Sequence, residues 1–220
     1  LRYSVSVLFN LCCNLNFDMT PPAPQVELGR RWRAALSRPV VLAASTRQGE
    51  EAPLLAAWQA LPAPRPLLAL VPRHPQRFDE VETLVRSHDL GLHRRSGWGE
   101  TPPAEATGAD VWLGDSMGEM PLYYALADVA LLGGSFAPLG GQNLIEAAAC
   151  GCPLVMGPHT FNFAEAAELA LRAGAAQRVA DINAGVAAAR ALAEDPRRPG
   201  RVERALAFAA THRGAAARMA

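Results

Sequence analysis

From Pro39 onward, short apolar runs alternate with longer stretches in which apolar residues return at helical spacing. The runs at 40–46 (VVLAAST), 66–71 (PLLALV), 110–115 (DVWLGD), 128–134 (DVALLGG), 153–157 (PLVMG) and 176–180 (AQRVA) predict strands. The intervening pattern predicts helices over 50–61, 75–89, 117–127 and 162–173, and two Ala-rich helices, 182–194 and 197–212, close the chain. In the second of these helices Phe78, Val81, Leu84 and Val85 share a face, and Pro75 suits the first turn, where its lacking N–H costs nothing. The segment 96–109 is rich in Gly, Pro and Thr and reads as a loop.

Strand and helix in alternation predict an α/β fold built on a parallel, doubly wound sheet, because parallel neighbours cannot be joined by a tight turn. In such sheets ligands sit beyond the carboxyl ends of the strands. The loops after Val71, Leu113, Leu132 and Met156 are therefore the expected site. Residues 1–38 stand outside this pattern as an N-terminal remnant and linker, with a linker-like 16–25 and an amphipathic helix over 26–36; the domain proper is expected at 39–220.

Composition narrows the partners. Half of the 220 residues are hydrophobic and 19% are charged, a globular balance. Basic and acidic residues both number 21, so no net field exists to gather a phosphate polymer, and nucleic acid is not an expected partner. Arg197, Arg198, Arg201, Arg204, Arg213 and Arg218 read as a solvated face of the terminal helices. Cys12, Cys13, Cys150 and Cys152 lack the further spacing of a zinc site, so reduced thiols are expected, with Cys150 and Cys152 as packing. No uncharged apolar run reaches the roughly 18 residues of a spanning helix. The opening LRYSVSVLFNLCC superficially has the look of a signal peptide, but without an initiating Met or a cleavage site it is read as a truncated or misread start.

Four strand-end segments carry polar residues of complementary kinds. In VPRHP, Arg73 offers a planar fork of donors to a carboxylate or phosphate, and His74 can donate to the same anion; taken alone, this motif is better explained by an ordinary surface turn held by Pro72 and Pro75, with Arg73 in an ion pair. In GDSMGEM, Ser116 and Glu119 have capping-box spacing, while Gly118, beside Met117, would let a ligand approach the helix start. In GGSFAPLGGQNLIEAAACG, two glycine pairs could be a folding turn or a cradle for part of a ligand. Asn143 and Glu146 there share a helix face, and a carboxylate suits a vicinal diol such as a ribose. In GPHTFNFAEAAE, His159 ends a strand, Asn162 and Glu165 have capping-box-like spacing, and Phe161 and Phe163 are expected to pack beneath the site. All four segments on one rim suggest a nucleotide with an attached anionic group.

With those residues in view, the chain resembles the C-terminal domain of the Kdo transferases, which move 3-deoxy-D-manno-oct-2-ulosonic acid (Kdo) from CMP-Kdo to lipid A precursors. NLNFDM, PRHPQRF, DSMGEM, ALADVALLGGSFAPLGGQNLIEAAACGCP and GPHTFNFAEAAE match the family's blocks in order, from about Asn14 onward. The resemblance implies the C-terminal, Rossmann-like half of a GT-B glycosyltransferase of lipopolysaccharide biosynthesis. It implies donor binding by Pro72, Arg73 and His74, by Ser116, Met117, Gly118 and Glu119, and by Gly141, Asn143, Leu144, Ile145 and Glu146. It implies CMP-Kdo as donor and no metal or other cofactor. The lipid acceptor and the general base would belong to an N-terminal domain that LRYSVSVLFNLCC does not resemble, so these 220 residues are expected to bind without transferring. The implied place is the cytoplasm, with the full-length enzyme at the cytoplasmic face of the bacterial inner membrane and membrane contact only through that whole protein. Ser116 and Met120 stand where Thr and Leu are common in the family, and Gln142 where many members have His.

Two other readings compete with this one. The chain could be half of a GT-B transferase using a UDP-sugar, which a comparison of CMP with UDP would separate. It could also be a degenerate, non-catalytic nucleotide-binding domain, which the coding sequence upstream of Leu1 would decide.

Overall fold

The structure, a computed structural model, describes residues 20–212. Seven strands form one parallel sheet: β1 (Val40–Thr46), β2 (Leu67–Pro72), β3 (Leu92–Arg94), β4 (Val111–Leu113), β5 (Val129–Leu132), β6 (Leu154–Met156) and β7 (Ala176–Arg178), in spatial order β3-β4-β2-β1-β5-β6-β7. Every pairing is parallel, so all strand ends lie on one edge. The order reverses at β1, whose neighbours are β2 on one side and β5 on the other, and a crevice is expected at such a switch point.

Alternate residues of the central strands feed two cores. Val40, Leu42, Ala44, Leu67, Ala69, Trp112, Ala130 and Leu132 face one way. Val41, Ala43, Leu68, Leu70, Val111, Leu113, Val129 and Leu131 face the other. Burial on both faces is why these strands read as unbroken apolar runs. On the first face lie α1 (Ala23–Ala35), α5 (Met120–Leu126), α6 (Ile145–Ala149), α7 (Ala164–Arg172) and α9 (Arg198–His212). On the second lie α2 (Glu51–Gln59), α3 (Phe78–Ser87) and α8 (Ile182–Glu194). The short α4 (Ala104–Thr107) precedes β4. Among the described residues no helix is long and apolar enough to cross a membrane.

The helix expected over 26–36 begins earlier, at Ala23, behind Pro22, and is built into the domain. Gly29 sits so close to the Leu122 carbonyl of α5 that a Cβ would collide with it, and Trp32 is buried at 3% exposure. Trp32, Trp98 and Trp112 meet edge to face at 5.3–6.2 Å and tie α1, the 96–103 loop and β4 into one cluster. Asp128, fully buried, holds α1 and α9 to the sheet: it accepts from Val40 N at 2.8 Å and from Arg33 Nε at 2.9 Å, and pairs with Arg198 at 2.7 Å. Arg198 thus does not join the solvated basic face expected of it, because it shares the buried Asp128 carboxylate with Arg33.

Three local expectations are corrected. β3 and α4 fall outside the predicted elements: Leu92–Arg94 is a three-residue edge strand with one apolar and two polar residues, too short and polar to show a period of two. Ser116 and Glu119 do not form a capping box; α5 starts only at Met120, and the two side chains hydrogen-bond each other instead. Asn162 and Glu165 form none either, since the amide of Asn162 donates to Leu139 O at 3.2 Å. Cys12, Cys13, Arg213, Arg218 and the opening LRYSVSVLFNLCC lie outside the described residues. Cys150 and Cys152 are buried free thiols, as expected of packing residues.

Candidate functional site

The loop after β5 is organised from within. Gly133 lies against the carbonyls of Ala44 and Ser45 in β1, where any Cβ would clash, and Gly134, Gly140 and Gly141 all take positive φ. The Glu50 carboxylate, 3% exposed at the start of α2, accepts from the amides of Gly134 (2.8 Å), Phe136 (3.1 Å), Ala137 (3.3 Å) and Arg47 (3.0 Å). Those amides form a nest of the kind that holds anions, and a side chain of the chain itself fills it. The Gly141 amide is used as well, donating to Gly134 O at 2.8 Å. The first glycine pair is therefore a folding turn locked by Glu50, which corrects the cradle reading for that half of the loop.

The second half of the loop places the carboxylate. Asn143 precedes α6 and does not open it: its side-chain oxygen accepts from Ile145 N at 3.0 Å, an Asx turn that aims the helix. Leu144 and Ile145 are buried in the core, so their side chains serve packing. Glu146 follows, half-buried. Burial pushes its carboxyl above the ordinary glutamate value, and the nearby charge of Arg73 opposes the rise. Arg73 follows β2, is exposed, and among the described residues its guanidinium makes no hydrogen bond or ion pair; only its backbone N–H is used, donating to Thr46 O at 2.9 Å. A guanidinium without a side-chain partner among the described residues and a half-buried carboxylate thus lie within electrostatic reach of each other. Tyr124 of α5 lies beneath, its phenol kept neutral by burial and by the Glu146 charge.

A second group stands beside the first. Arg95 donates to Glu119 at 2.8 Å and to the Trp98 carbonyl at 2.6 Å while lying 5.2 Å from the Trp32 ring centre. Glu119 in turn accepts from Ser116, and Gln25 of α1 donates to the Gly118 carbonyl at 2.9 Å. Above Gly118, at φ +77°, there is open space, and Met117 is 60% exposed. Met120 at the start of α5 receives a 3.8 Å contact from the Ser45 hydroxyl, which links this group to the end of β1. No hydrogen bond or ion pair joins Glu119 to Arg73 or Glu146; the shared edge and α5 relate them.

Pro72 ends β2 in the core, and His74 turns into an open groove of about 570 Å³ that is also lined by Arg47, Arg77, Glu80 and Leu139. The groove spans the loops after β1, β2 and β5, at the point where the strand order reverses. His159 is half-buried, with its backbone N–H donating to Ser135 O at 3.0 Å. Phe163 packs on the core, but Phe161 is 63% exposed on the rim and not beneath the site. A brief 3₁₀ turn over Phe161–Phe163 rotates the two rings to opposite surroundings. Among the described residues no group of three or more His, Cys, Asp or Glu side chains could hold a metal ion.

The reading of the sequence passed over Ser45, Arg47 and Glu50. Arg47 and Glu50 belong to the loop after the first strand, which the strand-end rule covers as it covers the others, and Ser45, inside β1 near its end, takes a left-handed φ of 54° where β1 shifts register. A non-glycine residue in that region near the end of an apolar strand leaves no periodicity to read.

No protein-family model matches the chain. A 3-deoxy-D-manno-octulosonic acid transferase of Bordetella pertussis is 50% identical over 93% of this chain and 49% of its own length, so the chain spans about half of that relative. WaaG, a glycosyltransferase involved in lipopolysaccharide biosynthesis, shares the fold alone at a TM-score of 0.57 and 19% identity, with 50% of it covered, as suits one half of a GT-B glycosyltransferase. The C-terminal CMP-Kdo binding domain of WaaA from Acinetobacter baumannii superposes at a TM-score of 0.69 with 30% identity, over 87% of this chain and 98% of that domain. On these matches the chain belongs to the 3-deoxy-D-manno-octulosonic acid (Kdo) transferase family and corresponds to its C-terminal half.

Proposed function

We propose that the chain binds CMP-Kdo along the carboxyl edge of its sheet and serves a transferase that delivers Kdo to a lipid A precursor. The observation that carries the reading is that Arg73, an exposed cation without a side-chain partner among the described residues, and the half-buried Glu146 carboxylate stand at the carboxyl edge of the sheet within electrostatic reach of each other. A carboxylate can accept both hydroxyls of a ribose, and a guanidinium forks onto a phosphate oxygen pair, so the two suit adjoining parts of one nucleotide. Met117, Gly118 and Glu119 would bound the base, Asn143 and Gly141 would fix the approach of α6, and Leu144 and Ile145 would hold that helix in place from the core. The relative from Acinetobacter baumannii, whose domain binds CMP-Kdo, supports the choice of donor.

In the transfer, an acceptor hydroxyl attacks the anomeric carbon and CMP departs with inversion. Arg73 stabilises the charge that builds on the departing phosphate. The general base and the lipid site are proposed to lie outside these 220 residues, the whole enzyme standing at the cytoplasmic face of the inner membrane, and no metal is needed by this reading. Calorimetric titration of the chain with CMP and with UDP tests it, with and without EDTA. CMP is expected to bind more tightly and to be indifferent to EDTA. Preference for UDP overturns the donor assignment, dependence on a metal overturns the metal-free reading, and turnover by the chain alone overturns the placement of the base.

A further inference from the structure

The groove at the strand-order reversal holds one cation that pairs with no other side chain among the described residues. Arg77, nine-tenths buried at its floor, is committed: it donates to Glu51 at 2.6 Å and to Glu80 at 2.9 and 3.2 Å. Those contacts also occupy Glu80. Arg47 differs. Its backbone N–H donates to Glu50, and its stem lies beside Gly134, but its guanidinium has no hydrogen bond or ion pair among the described residues. It is only half exposed and lines the groove together with Leu139. The half-buried His74 ring stands in the same groove without a partner, and the exposed amides of Gln48 and Gln76 complete its polar lining.

The groove is separate from the Arg73–Glu146 pair, which does not line it, yet His74 is the residue next to Arg73. A ligand whose ribose meets Glu146 and whose phosphate meets Arg73 would therefore send whatever is attached to that phosphate past His74 into the groove. About 570 Å³ accommodates a monosaccharide. Side-chain amides suit its hydroxyls, and a free guanidinium selects a carboxylate.

We infer that Arg47, assisted by His74, reads the carboxylate of the donor sugar, so that the groove is a subsite for an acidic sugar and Arg47 its specificity determinant. The inference rests on the nucleotide reading given above and extends it to the sugar. An arginine held by its own backbone contact on a locked loop is pre-organised for this, since the Glu50 nest fixes its main chain.

The test is calorimetric titration of the 220-residue chain with CMP and with CMP-Kdo, for the native sequence and for Arg47→Gln, Arg47→Lys and Arg73→Gln, each first shown by thermal unfolding to be folded. The native chain is expected to bind CMP-Kdo more tightly than CMP. Arg47→Gln should lose about tenfold to a hundredfold for CMP-Kdo while changing CMP by less than about twofold, with Arg47→Lys recovering part of the loss. Arg73→Gln should weaken both ligands alike. Equal losses of CMP and CMP-Kdo in Arg47→Gln would move Arg47 to the phosphate and overturn the inference, as would a native chain that binds both equally; either result leaves the nucleotide reading intact. Absence of CMP binding by the native chain would overturn that reading and the inference together.

Discussion

The Glu50 carboxylate accepts the Gly134 amide at 2.8 Å across the boundary of β1 and β5, so the loop that most resembles a ligand cradle is closed by an acid from the next crossover. Glu50 also accepts from Phe136, Ala137 and Arg47, and it is almost wholly buried. Glu50→Ala would strand several buried N–H groups at once. Urea unfolding should show a loss of about 3 kcal/mol or more. A loss below about 1 kcal/mol would mean that water or a loop shift replaces the carboxylate.

Asp128 gathers Val40 N, Arg33 and Arg198 at 0% exposure, joining β1, α1 and α9. Asp128→Asn keeps the shape and an acceptor but removes the charge that two guanidinium groups face. Breaking such a buried ionic cluster from one side is expected to cost about 3 kcal/mol. Hydrogen exchange should quicken first in α1 and α9. Retained protection in both helices would show that packing through Trp32 and Phe208 holds them without the charge.

Glu146 makes stability depend on pH. Burial holds its folded value above the ordinary one, with Arg73 resisting. A carboxyl that binds its proton more tightly when folded adds stability at low pH and loses it as pH rises through the raised value. Glu146→Gln, which cannot ionise, should therefore be more stable than the native chain at neutral pH, with the gap closing below the unfolded glutamate value. The same variant should lose nucleotide affinity. Arg73→Ala should raise the Glu146 value further, which carboxyl-carbon NMR titration would record. A gap that does not vary with pH would show that Glu146 is solvated in solution.

Cys150 and Cys152 should be inert. Burial pushes Cys150 up to about 12, and Cys152 also rises well above its ordinary value. The thiolate is the reactive form, so at pH 8 its fraction at Cys150 falls on the order of 10³-fold below that of a free thiol. In a Cys12→Ser, Cys13→Ser background, a thiol-reactive disulfide should label the native chain far more slowly than the unfolded one. Rapid labelling of both would reveal local opening of α6 and the Gly151 turn.

Local order along the chain determined a great deal. β1 and α8 lie where their periodicity puts them, because a strand buried on both faces must be apolar throughout and an amphipathic helix must repeat its buried face. The parallel sheet, and with it the edge where Arg73, Glu119 and Glu146 all stand, followed from alternation alone. Tertiary structure decided which polar groups are free. Glu50 and Arg77 look as available in the sequence as Arg73 and Arg47, but folding brings Glu50 to the Gly134 nest and Arg77 to Glu51, leaving the other two arginines unpaired. The same holds for Ser116 and Glu119, whose spacing suits a helix cap until Arg95 arrives from the turn that follows β3. Chain spacing governs partners a turn away; a charge chooses among groups far along the chain only once the sheet has brought them within reach.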